Sequence, residues 1–163
     1  MKNNILFLSA ILALITMSCS SSAKLSRAEA NELRGAMIHS LLENQHYVIK
    51  AEKMNLRRGG QLYLSETANY IKVNGDAARV NLAYMGRSYD LRGISGINMS
   101  GQITERSIVK KKNGNTLVSM RIEQNNDAFK FDILVSNSGR CTVNIYHPKI
   151  DPISYRGYFA ALQ

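Results

Sequence analysis

Apolar and polar residues alternate along most of the second half of the chain. Phe129, Phe131, Ile133 and Val135 are interleaved with Lys130, Asp132, Leu134 and Ser136. Cys141, Val143 and Ile145 alternate with Arg140, Thr142, Asn144 and Tyr146. Val118, Met120 and Ile122 repeat the pattern, as do Ile153, Tyr155 and Phe159. Successive side chains of a strand point to opposite faces, so each set predicts a strand with one buried face. The runs Tyr47–Ala51, Leu62–Leu64, Tyr70–Val73 and Ala78–Tyr84 follow the pattern less cleanly. Asn74-Gly75-Asp76, Asn113-Gly114, Asn125-Asn126-Asp127 and Asn137-Ser138-Gly139 fall where tight turns need positive φ.

Short connections join antiparallel neighbours, so the last four strands are expected to form a meander. The whole predicts a mainly β fold of about eight to nine strands, curled into an open or flattened barrel or a sandwich. Before the strands the period differs. Ser26-Arg27-Ala28-Glu29 fits a capping box, with Leu25 as a staple partner. Ala30, Leu33, Met37 and Leu41 then recur at helical spacing to about Glu43, interrupted by Gly35. One N-terminal helix is expected over the open end or concave face of the sheet.

The first residues read as an address. Met1-Lys2-Asn3-Asn4 precedes an apolar run from Ile5 to Ile15. The run is shorter than the roughly 20 residues of a bilayer span but suits a signal-peptide core. Thr16-Met17-Ser18-Cys19 follows, and a small residue before that cysteine resembles a bacterial lipobox. The resemblance makes residues 1–18 a lipoprotein signal peptide, Cys19 the acylated residue and 19–25 a tether. Residues 26–163 then form a single domain. Acyl chains contribute about 0.8 kcal/mol per buried methylene, so several anchor a protein firmly. Ser20 is not the aspartate of an inner-membrane retention signal, and no acidic export run follows. The expected place is the outer membrane, facing the periplasm.

Leu82-Ala83-Tyr84-Met85-Gly86-Arg87-Ser88-Tyr89 resembles the signature of an uncharacterised family of Bacteroides-type envelope lipoproteins, domain of unknown function 4251. Gly96-Ile97 and Ser138-Gly139 fit its downstream elements. Ile153-Ser154-Tyr155-Arg156-Gly157 resembles its closing element. The resemblance spans about residues 26–161. It implies a compartment and a shared fold and no activity. Ala83 stands where such proteins commonly carry proline.

Composition then excludes several classes. The 163 residues, 45% hydrophobic and 20% charged, suit one globular domain rather than a disordered chain. Two cysteines build no disulfide scaffold and no paired CxxC site. The three histidines, His39, His46 and His147, come with no G-x-S-x-G elbow and no acidic cluster. Cys141 lies on an apolar face, where a thiolate is poorly solvated. Gly86, Gly93, Gly96 and Gly101 are followed by no phosphate-loop lysine, and are read as bends in a curved sheet. No catalysis, metal or cofactor is expected.

Charge points to a partner. Lys and Arg number 21 against 12 acidic residues, with local concentrations at Arg57-Arg58 and at Lys110, Lys111 and Lys112. An exported protein meets anionic lipid headgroups, the phosphates of lipopolysaccharide (an anionic glycolipid) or acidic glycans rather than nucleic acid, and the alternative for the lysine run is a solvated hairpin tip. Tyr84, Gly86, Arg87, Tyr89 and Arg92 form the sharpest local candidate, joined by Tyr155 and Gly157 of the closing element. Tyrosine and arginine suit recognition, yet they also hold turns together. Two functional expectations follow. The first is a non-catalytic envelope protein binding an apolar or amphiphilic ligand inside a curved sheet. The alternative is a structural or protein-interaction module of the outer membrane with a filled core. Filling of the interior by Phe129, Phe131, Tyr155 and Phe159 would decide for the second.

Overall fold

The computed structural model describes residues 26–89 and 95–162. The expected signal segment and tether, with Cys19, Leu25, Arg92 and Gly93, lie outside the described residues. One helix, α1 (Arg27–Glu43), precedes nine strands. These are β1 (His46–Asn55), β2 (Gln61–Tyr63), β3 (Tyr70–Asn74), β4 (Ala77–Ala83) and β5 (Gly96–Lys110). They continue as β6 (Thr116–Gln124), β7 (Asp127–Val135), β8 (Arg140–His147) and β9 (Ile150–Ala161).

The four irregular runs are thus strands β1 to β4, and the meander extends well beyond the last four. From β3 to β9 each strand pairs antiparallel with the next. β9 then pairs with β1 from Tyr47↔Ala161 to Asn55↔Ser154 and closes an eight-stranded barrel. β1 is irregular because its register slips between Ala51 and Lys53. Tyr47, Ile49 and Ala51 are buried on one alternation, and Met54 resumes burial three residues on. The first half of β1 pairs with β3. Its far half pairs with the short extra strand β2, through Lys53↔Tyr63 to Asn55↔Gln61. The expected turns fall where the sequence puts them. Gly75, Gly114 and Gly139 carry them at positive φ, and Asn125 and Asn126 do so at φ 51° and 65°.

The inner face is a packed core. Met54, Ile122, Phe131, Ile133 and Ile145 have essentially no exposure, and Tyr47 and Tyr155 have 1%. Each such side chain contributes about 1.5–3 kcal/mol when fully buried. Phe129 departs from expectation: it is only partly buried and packs against the core, its ring stacked on His147 at 4.1 Å.

Helix α1 caps the barrel mouth where β1 begins. Its capping box is formed: Ser26 N–H donates to Glu29 at 2.8 Å, and Glu29 N–H donates to Ser26 Oγ at 3.3 Å. The docking face is only in part the one the periodicity predicts. Ile38 and Leu42 are buried and Leu41 packs partly buried against the core, whereas Leu33 and Met37 are 59% and 56% exposed. The mouth accepts only the last two turns, along the i, i+4 pair Ile38 and Leu42. The expected stripe runs one residue to the side of that pair.

Candidate functional site

The signature segment closes the opposite mouth. Ala83 ends β4, with its N–H donating to buried Asn69 Oδ1 at 2.7 Å. Its carbonyl accepts from Tyr155 Oη at 2.7 Å, tying the signature to the closing element. The chain then turns so that the buried Tyr84 ring folds back over Gly86. A Cβ on Gly86 would lie 2.2 Å from Tyr84 Oη, so the turn requires glycine. The Tyr84 hydroxyl donates between the carbonyl oxygens of Arg87, at 2.7 Å, and Asp151, at 3.2 Å. Burial, and then the charge of Asp151, raise its pKa.

Asp151 is the hub of this clasp. Its N–H donates to the Arg87 carbonyl at 3.0 Å, and Tyr89 N–H donates to the Lys149 carbonyl at 2.7 Å. Its carboxylate accepts from Tyr89 Oη at 2.6 Å and pairs with the Arg57 guanidinium. Hydrogen bonds from Tyr89 first, and then from Arg57, hold the Asp151 carboxyl below the usual carboxylate range. Tyr84, Gly86, Arg87, Tyr89 and Tyr155 therefore meet at one place. Arg87 takes part through its peptide carbonyl, and its side chain is exposed. Gly157 stands further along the β1–β9 seam, where a Cβ would fall 1.9 Å from the Lys50 carbonyl oxygen. Sequence reasoning missed Asp151 and took Arg57 only as part of a basic concentration; the two are 94 positions apart. The available signal was an acid beside proline, Asp151-Pro152, at the head of an apolar strand.

The histidines are separated. His39 pairs with Glu43 along the helix at 3.3 Å, and His46 Nδ1 meets Asn74 Oδ1 at 3.2 Å. The His147 side chain is buried and stacked on Phe129, with Nε2 2.7 Å from Asp127 Oδ1. Its Nδ1 accepts from Lys149 N–H at 3.2 Å, which leaves Nε2 to donate to Asp127. That bond is the main reason the Asp127 carboxyl sits low. With both nitrogens engaged, the pair clips the β8–β9 turn to the head of β7 and offers no free base. Cys141 lies inside the barrel, and burial pushes its thiol up to about 12. Among the described residues, no three His, Cys, Asp or Glu side chains are placed to hold a metal ion.

The two basic concentrations lie at opposite ends. Lys110, Lys111 and Lys112 are exposed at the β5–β6 turn, on the helix side, while Arg57 belongs to the clasp. A third feature is a groove of about 640 Å³ on the outer wall, between β2 and the end of β7. Glu52, Lys53, Tyr63, Leu134, Thr142 and Arg156 are among its lining residues.

A closed antiparallel barrel, capped by a helix at one mouth and clasped by its own signature at the other, defines the class of protein. Residues 29–159 match the family model described as Domain of unknown function (DUF4251), and the chain belongs to that family. Its fold is similar to the crystal structure of a DUF4251 family protein from Bacteroides eggerthii DSM 20697. That likeness has a TM-score of 0.67 at 19% identity, covering 79% of this chain and 88% of the other. No curated protein matches the sequence. Neither the family description nor the neighbour names a reaction.

Proposed function

We propose that this protein is a non-catalytic, lipid-anchored component of the cell envelope. It is held in the outer membrane through Cys19, faces the periplasm, and uses its barrel as a scaffold that meets partners on its outer wall. The observation carrying the choice of outer wall over interior is the core itself. Phe131, Tyr155 and Tyr47 fill the barrel, so a ligand inside would have to displace buried side chains. The anchor is supported by the apolar run ending at Ser18-Cys19. His147 and Asp127 are engaged with each other and Asp151 with Tyr89 and Arg57, which supports a structural use of polar groups rather than catalysis.

Two measurements test this reading. Cys19→Ser is expected to move the protein from the membrane to the soluble fraction; unchanged partition would remove the anchor. Native mass spectrometry of the purified chain is expected to give the bare lipoprotein mass. A reproducible lipid-sized adduct beyond the covalent acyl chains, released on denaturation, would return the ligand to the interior.

A further inference from the structure

We infer that the outer-wall groove binds an anionic saccharide, the acid group on Lys53 and Arg156 and a sugar face on Tyr63. The inference rests on the reading that recognition belongs to the outer wall, and it names what that wall meets.

The groove is a consequence of one extra residue. The register of β1 against β9 slips between Ala51 and Lys53, so Glu52 is inserted as a bulge. Glu52 and Lys53 are both half-buried on the outer side before Met54 returns to the core. Glu52 is taken by Arg140. Lys53 is left in register with Arg156 on β9 and with Tyr63 on β2. Arg156 is in register with Thr142, and Thr142 with Leu134. Five strands thus place five outward residues in one row. Four inter-strand spacings of about 4.8 Å make it roughly 19 Å long, room for a short oligosaccharide.

Its chemistry is uneven along its length. Like charges directly opposite one another in a sheet are destabilising. Lys53 and Arg156 stand in that relation, and among the described residues neither has a carboxylate partner. Glu66, which also lines the groove, accepts a hydrogen bond from Tyr158 at 2.5 Å. An anion between the two cations relieves their repulsion and takes charge-assisted bonds from both. At one end Tyr63 is 76% exposed, with Lys53 Nζ 4.7 Å from its ring centroid. That exposed ring is a stacking surface for the C–H face of a sugar, and Thr142 and Ser136 line the groove farther along. A lipid tail would need an enclosed apolar slot, which this open trough with its charged floor is not.

The test is calorimetric titration of the full chain in detergent with a galacturonate trimer. Neutral maltotriose, inorganic phosphate and a triglutamate peptide serve as the comparison probes. The acidic saccharide is expected to bind saturably and the other three not to. Arg156→Gln and Lys53→Gln are each expected to weaken binding about tenfold, and Tyr63→Ala several-fold. The two cation variants should also raise Tm slightly, since each removes one of two facing charges. That gain shows that the variants are folded. Absence of saturable binding by the trimer overturns the inference, as does wild-type affinity in both cation variants. Equal affinity for phosphate would reduce the groove to an anion site, and equal affinity for triglutamate would make it a peptide site. Either result overturns recognition of the sugar. Failure here with a bare native mass removes the groove alone, whereas a lipid-sized adduct removes the outer-wall reading itself.

Discussion

The two mouths of the barrel are closed by opposite means. At the signature mouth the buried polar groups answer one another. Tyr84 donates to backbone carbonyls, Tyr155 donates to Ala83, and Asp151 accepts from Tyr89 and Arg57. At the helix mouth the closure is apolar, through Ile38 and Leu42, with Tyr47 stacked on Phe159 at 4.7 Å beneath. Its polar atoms are less well served. Arg106 donates to the Gly75 carbonyl at 2.7 Å, yet its buried Nε and the Tyr47 hydroxyl have no hydrogen-bond partner among the described residues. A buried hydrogen bond contributes only about 1 kcal/mol net, but an orphaned group carries its full desolvation cost. The same residue type, tyrosine, is therefore expected to have opposite value at the two ends.

The largest effect belongs to the apolar mouth. Leu42 is 2% exposed, and Leu42→Ala is expected to cost about 2–5 kcal/mol, read by urea unfolding. A value within 1 kcal/mol would mean that the helix contributes little to closure. At the clasp, Tyr84→Phe keeps the ring and removes the donor shared by Arg87 and Asp151. The expected loss is about 1–2 kcal/mol by the same measurement; the Arg87 carbonyl still accepts from Asp151 N–H.

Asp151→Asn tests the clasp through pH. The folded carboxyl is held low by Tyr89 and Arg57, so its stabilisation is present above the ordinary carboxylate range. It is lost as pH falls through the folded value. Wild type should melt above the variant at neutral pH, and the two should converge in acid. The Arg57 side chain is 67% exposed, so solvent screens the pair and salt should narrow the gap. A gap that persists unchanged in acid would show that the charge on Asp151 is not what matters.

These contrasts also mark what the sequence discloses. Strands β6 to β8 are legible because each keeps one alternation, as β9 does from Ile153 on, and the four asparagine- and glycine-rich turns locate the hairpins. β1 is obscured by its bulge, which changes the phase between Ala51 and Met54. β2 is obscured because all three of its residues are exposed. Closure could not be read at all, since it pairs the first strand with the last. The helix was legible from its capping box, but its docked face only in part, because Leu33, Met37 and Leu41 compete with Ile38 and Leu42. The tyrosines and glycines of the signature were visible as a group. Their purpose depends on Asp151 and Arg57, brought together only by the fold. The groove is hidden for the same reason: its row exists in the register of five strands and in no one stretch of sequence.

The smallest effect, and the one that sharpens the comparison most, is Tyr47→Phe. Burial pushes the Tyr47 hydroxyl up to about 12, with nearby Arg106 pulling the other way. The ring is 1% exposed and keeps its stacking on Phe159 in the variant. Removing the hydroxyl abolishes a desolvated donor and creates a void of a single oxygen atom. The expected result is a gain of up to about 1 kcal/mol, the reverse of Tyr84→Phe. The two variants differ by the same atom, so a double mutant should show additive effects across the barrel. A loss at Tyr47 equal to that at Tyr84 would mean that both mouths depend on polar closure, and the contrast between them would be gone.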